Sequence, residues 1–299
     1  MNQTFAIFPS EKYSIMRKIL LAILSQLLLQ MGFSQTKPAY VIFDAKGKKV
    51  SYEKMMNSIR KADMLLFGEL HNNPICHWLQ LEVTKELGQT RQLILGAEMF
   101  EADNQMPLNQ YLAEEIDAKG LDSLARLWNN YKTDYAPLVN FAKQNKIPFI
   151  ATNIPRKYAN LVYREGLEAL DALSSQEKAW IAPLPIEYDG ELPGYKNIKA
   201  MAQGHGGDNL PKSQAIKDAT MGYFMMKNYQ SGKLFIHYNG TYHSENYEGI
   251  LWYLKRKNNS LNYITISTVS QENLDKLLIE NKGKADFIIC VDQDMTTTY

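Results

Sequence analysis

Seven short apolar runs, rich in β-branched and aromatic residues, recur along this chain with helix-length patterns between them. The runs cover residues 40–43, 64–67, 93–98, 148–152, 234–238, 263–269 and 287–291. Helical periodicity fills 52–61, 75–87, 138–143, 156–170, 213–229 and 248–257. Runs of this length alternating with helices favour an α/β fold with a mostly parallel central sheet, because a parallel crossover needs a helix to bring the chain back. Residues 103–130 add a helical insertion with no strand in it, and nothing from residue 37 onward has the composition of a linker. A single α/β domain is therefore expected, its sheet flanked by helices. Residues 183–211 hold Pro183, Pro185, Pro193, Pro211 and the run Gly204-His205-Gly206-Gly207, which predicts a long loop, ordered or mobile, of the kind that is either a functional lid or disordered.

The N-terminal stretch has a different character. Arg17 and Lys18 precede an apolar run over 19–29, and Gly32-Phe33-Ser34 follows. This is the charged, apolar and small-residue order of a secretory signal peptide. Ser25 and Gln26 interrupt the run, which falls short of the ~20 residues a membrane span needs. The expectation is translation from Met16, cleavage after Ser34, and an exported domain over 35–299 that is periplasmic or secreted, with no transmembrane span. Cys76 and Cys290 both lie far from the cleavage site, so a lipid-modified N-terminus is not expected. A disulfide between them is not expected either, since a domain of this size has no need of one. The formal net charge is +1 with both signs interspersed, which argues against a nucleic-acid partner.

Polar residues cluster where the apolar runs end. Gly68-Glu69-Leu70-His71 follows the second run, Glu98 closes the third, Asn153 and Arg156 follow the fourth, and Asn239-Gly240-Thr241-Tyr242-His243 follows the fifth. Parallel strands share one carboxyl edge, where ligand sites form, so Glu69, His71, Glu98, Arg156 and His243 should converge there. In each Gly-x-x-His motif, glycine would let the chain turn sharply after the strand. Asn73 and Pro74 read as the cap and first residue of a helix, placing His77 in the first turn, where the helix dipole favours neutral, ligating imidazole. His237 sits inside an apolar run and reads as a core residue; His205 lies in the glycine-rich loop, within reach of a ligand. Gln214, Asp218 and Met221 share a helical face at i, i+4, i+7, and the first two read as pocket residues. Cys76 reads as a small core group.

Taken in order, FGELHNNPICHWLQ, GAEMFE with Gln105, ATNIPRK, SQAIKDATMGYF and NGTYHSENYEGI resemble the ChaN-like family of the haem-binding uptake and Tiki/TraB superfamily. The resemblance implies an α/β fold whose pocket is built by Gly68/His71, Gly240/His243 and Glu98. It also implies haem or iron uptake, with cofacial haem binding in a homodimer; Tiki-type relatives are metal-dependent proteases, and erythromycin-esterase-like relatives hydrolyse a lactone. Two departures stand out. The lipoprotein cysteine of many members is missing, and Tyr242 should crowd the second motif.

Two functions follow. One is an exported haem (iron protoporphyrin) or iron carrier, with His71, His77, His205, Gln214, Asp218 and His243 around the ligand and Arg156 available to a propionate. The other is a hydrolase in which a divalent metal ion on His71, Glu98 and His243 activates water, with Glu69 or Glu98 as the catalytic carboxylate. A weaker third is metal-free hydrolysis by the same acid and base groups.

Overall fold

A computed structural model describes residues 14–21, 37–201 and 207–299. Residues 14–21 are helical and belong to a unit separate from the one that begins at Ala39. The expected cleavage site and His205 both lie outside the described residues.

Every expected strand forms. They are β1 (Tyr40–Asp44), β2 (Met64–Glu69), β3 (Leu93–Glu101), β4 (Phe149–Asn153), β5 (Leu234–Gly240), β6 (Tyr263–Gln271) and β7 (Phe287–Asp292). They make a seven-stranded sheet in the order β1-β7-β6-β2-β5-β3-β4. All neighbours run parallel except β1, which pairs antiparallel with β7. The helices of seven residues or more in the unit that begins at Ala39 are α1 (Tyr52–Ile59), α2 (Pro74–Gly88), α3 (Gln105–Leu112), α4 (Ala118–Leu124), α5 (Ala136–Gln144), α6 (Arg156–Glu165), α7 (Pro193–Met201), α8 (Asn209–Asn228) and α9 (Ile250–Lys257).

Both faces of the sheet are covered, as a parallel sheet requires. Strand β2 shows how: Leu65 and Phe67 join α1 and α2 in one core, whereas Met64 and Leu66 meet Met221, Met225, Leu251 and Leu254 of α8 and α9 in another. Side chains two apart share a face, so one strand seeds two cores. Cys76 and Cys290 are both buried and free, and Cys76 packs in the first core.

Two expectations change. The segment 183–211 is not a continuous loop, because α7 forms inside it and α8 begins as early as Asn209. The strands also extend one to three residues beyond their apolar runs, so Glu69 and Gly240 lie within strands rather than after them, and Glu98 lies inside β3 rather than at its end. The polar residues thus inherit the rigidity of the ladder.

Candidate functional site: two carboxylate–imidazole clusters at the carboxyl edge

The first cluster grows from β2 and α2. Glu69 is buried at the end of β2, and all its hydrogen bonds come from neutral or imidazole donors. Tyr135 donates its hydroxyl to Oε1 at 2.6 Å, the Gln80 amide donates to Oε2 at 2.6 Å, and His71 Nδ1 lies 2.9 Å from Oε1. Burial alone would raise the Glu69 carboxyl, but His71, His77 and Tyr135 hold it below its usual range. His71 answers in kind. Burial would depress its imidazole, yet the hydrogen bond to Glu69 and the charge of Glu98 leave it raised. Trp128 stands edge-on to the His71 ring at 4.9 Å.

His77 supports this cluster from behind. Asn73 caps α2 by accepting from Cys76 N at 3.1 Å, and Pro74 fills the first turn, as the sequence predicts. The His77 ring, however, faces acceptors on both sides: Gln80 Oε1 lies 3.1 Å from Nδ1 and the His71 carbonyl 3.0 Å from Nε2. Both ring nitrogens are thus engaged within the protein, and His77 braces the His71 backbone. Asn130 donates to the same carbonyl at 2.8 Å.

The second cluster is built by β3, β5 and α8. His243 lies between two buried carboxylates, with Nε2 3.2 Å from Glu98 Oε1 and Nδ1 2.5 Å from Asp218 Oδ1. Each carboxylate spends its other oxygen: Glu98 Oε2 accepts from Gly240 N at 2.7 Å, and Asp218 Oδ2 accepts from the Tyr195 hydroxyl at 2.9 Å. Burial works against charge on His243, but Glu98 and Asp218 override it and push its pKa up to about 10. Glu98, buried beside that imidazolium, is held well below the usual carboxylate range. Asp218 goes the other way, because its desolvation outweighs the pull of His243 and Tyr195. The Gln214 amide lies 2.9 Å from His243 Nδ1, so Gln214 and Asp218 both reach the site as their shared face suggests.

Gly240 joins the two clusters. A Cβ there would stand 2.7 Å from His71 Nε2 and 3.4 Å from Glu98 Oε2. Gly68 is crowded in the same way, with Ile266 O 2.8 Å from its would-be Cβ. Neither glycine has a positive φ. Their role is close approach, not the sharp turn expected from the motif. Replacing Gly240 with Ala should therefore push His71 off its seat and cost about 2 kcal/mol by overpacking. Urea denaturation measures the cost, and the His71 imidazole titration followed by NMR should shift with it. An unchanged titration would mean that the ring does not rest on Gly240.

Other expectations sort cleanly. His237 is a core residue, with Thr152 Oγ1 2.7 Å from Nε2 and Asn239 Oδ1 3.1 Å from Nδ1; burial depresses it to about 4. Arg156 opens α6 at the carboxyl edge, exposed and with no ion-pair partner among the described residues. Tyr242 does not crowd the site, because it is 61% exposed. Among the described residues no group of three His, Cys, Asp or Glu side chains is placed to hold a metal ion. Within the set His71, Glu98 and His243, both His243 nitrogens lie against carboxylate oxygens, Nε2 on Glu98 and Nδ1 on Asp218.

The family profile described as haem-binding uptake, Tiki superfamily, ChaN matches residues 55–254. This chain belongs to that ChaN family. The structure of ChaN of Campylobacter jejuni with cofacial haem has the same fold, with a TM-score of 0.64 at 19% identity, over 85% of this chain and 97% of that one. Protein RETICULATA-RELATED 5, chloroplastic, of Arabidopsis thaliana is 31% identical over 146 residues, which is 46% of this chain but only 19% of that protein. An erythromycin esterase EreC variant aligns more loosely, with a TM-score of 0.49 and 9% identity over 85% of this chain and 97% of that one.

Sequence reasoning missed Tyr135, Gln80 and Tyr195. Gln80 was findable, because it follows His77 by three residues and so shares its helix face. Tyr135 sits in a π-helical turn, Tyr131–Tyr135, inside a stretch with no readable period.

Proposed function

We propose that this ChaN-family protein is an exported haem-binding protein of haem or iron uptake, with haem held at the carboxyl edge beside His71. One observation carries the assignment of the residue. Of the four described histidines, only His71 is open to solvent, its side chain 37% exposed against 4% for His77 and 7% for His243; His237 is fully buried. Its Nδ1 is anchored on Glu69, an arrangement that orients an imidazole and strengthens its other nitrogen as a donor. Two exposed groups that follow strands ending at the same edge suit haem as well: the Tyr242 phenol, and the Arg156 guanidinium for a propionate. Bound haem would supply an iron that accepts a donor atom from the protein, and His71 is the residue that would hold it. Export rests on the charged and apolar pattern of residues 17–34.

A visible-range haem titration tests the reading. A saturable Soret shift is expected, weakened about a hundredfold in His71→Ala and about tenfold in Arg156→Ala. Because the His71 imidazole titrates above its ordinary value and ligation needs the neutral ring, affinity should rise with pH through that titration. A Soret shift that His71→Ala leaves intact would overturn the assignment.

The Glu69–His71 hydrogen bond favours hydrolysis as a second reading, with His71 moving a proton at Nε2. Turnover of p-nitrophenyl butyrate that disappears in His71→Ala is its expected signature, and turnover equal to that of the variant would dismiss it.

A further inference from the structure

We propose that the groove between the 182–187 segment, α8 and α9 binds an acyl-chain carboxylate. This inference stands apart from the haem reading and involves none of the carboxyl-edge residues. The cavity has a volume of about 490 Å³, in the range of small-molecule sites. Pro183, Pro185 and Ile186 form one wall, and Tyr223, Met226 and Tyr253 face them.

The sequence explains the shape. Ala219, Gly222, Tyr223, Met226 and Lys227 fall at i, i+3, i+4, i+7 and i+8 along α8, so they form one continuous stripe. At 1.5 Å per residue this stripe is ~12 Å long, a slot with the proportions of a chain. Gly222 lets α9 come close, since a Cβ there would already touch Tyr253 Cβ at 3.3 Å. Pro183 and Pro185 give the opposite wall two apolar rings and two fewer backbone N–H donors.

Charge decides which end group the groove accepts. Lys227, Arg256 and Lys257 line it against the single carboxylate of Glu187. Glu187 is already spoken for by Arg256, whose Nε lies 2.5 Å from it. Lys227 and Lys257 have no ion-pair partner among the described residues, and Lys227 Nζ is held 5.5 Å over the Tyr223 ring at the wall of the groove. An apolar slot with uncommitted ammonium groups at its margin is complementary to a long apolar body ending in one anion.

The test is calorimetric titration of the full chain with dodecanoate below its micellar concentration, with dodecyltrimethylammonium as the charge-reversed control. Saturable dodecanoate binding is expected, with no binding of the cation. Met226→Trp should fill the slot and abolish binding. The double variant Lys227→Glu/Lys257→Glu should weaken it about tenfold or more and, both side chains being exposed, leave the thermal melt in place. Equal binding of the two surfactants, or variants without effect, would overturn the proposal. So would haem binding that Met226→Trp abolishes in a chain that ignores dodecanoate, which would make the groove a porphyrin site. Soret titration of the same variants keeps the two readings separate, because a failure at His71 leaves the dodecanoate result untouched.

Discussion

Replacing His243 with alanine should lower the unfolding free energy by about 3–5 kcal/mol, the cost of stripping a buried ion pair of one partner. Glu98 and Asp218 would then be two buried carboxylates with no cation between them, at positions now 3.2 Å and 2.5 Å from the imidazole. At 2–4 °C per kcal/mol the thermal midpoint should fall by roughly 10 °C. The sign of the pH dependence follows from the raised imidazole. Its contribution is complete below the unfolded value of 6.5 and is lost as the pH climbs to about 10. In that window the folded chain holds one proton more than the unfolded chain, so wild-type stability should decline by ~1.4 kcal/mol per pH unit from this group. Glu98 acts oppositely: held below its ordinary value of 4.5, it contributes above that pH and loses its contribution in acid. Urea denaturation of wild type and His243→Ala at pH 6.5, 8 and 9.5 measures the alkaline slope, which the variant should lack. A variant that melts with the wild type would mean that His243 is neither charged nor clamped. Its role would then be that of a displaceable ligand.

The contrast with His71 shows how far sequence could carry the site. Short continuous apolar runs made β2, β3 and β5 legible, as expected of strands buried on both faces, and parallel topology then brought Glu69, Glu98 and the two Gly-x-x-His motifs to one edge. What sequence could not tell was that the motifs have different fates. His71 has one nitrogen on Glu69 and a side chain open to solvent, whereas His243 has both nitrogens on carboxylates and is sealed. That difference arises because α8 delivers Asp218 and α7 delivers Tyr195 to the second motif, and no local pattern in NGTYHSENY records either approach. The same long-range packing hid Tyr135, which reaches Glu69 across 66 positions of sequence. Gln214 and Asp218 were legible because a four-residue spacing on a helix fixes a common face whatever that helix packs against.

Gly249 is the position where a single methyl group should do most damage to this arrangement. Its φ of +55° lies in a region that side chains avoid, and a Cβ there would stand 2.3 Å from the His243 carbonyl oxygen. Two non-glycine residues just before it, Asn246 and Tyr247, already have φ of 58° and 61°. The 246–249 turn thus concentrates strain directly after the second motif, tolerated because the surrounding packing fixes it. Gly249→Ala should cost about 3 kcal/mol or more, combining an unfavourable backbone with a contact against main chain that cannot rotate away. Gly232 provides the control, since its φ is +85° but nothing lies within 4 Å of the added Cβ. Gly232→Ala should therefore show the backbone term alone, about 1 kcal/mol. The excess at Gly249 reports how rigidly the His243 main chain is held. In Gly249→Ala the His243 imidazole resonance should shift as its carbonyl is displaced, while in Gly232→Ala it should not move. Equal costs at the two glycines would mean that the 243–249 segment yields freely, and that Glu98 and Asp218 alone keep the imidazole in place.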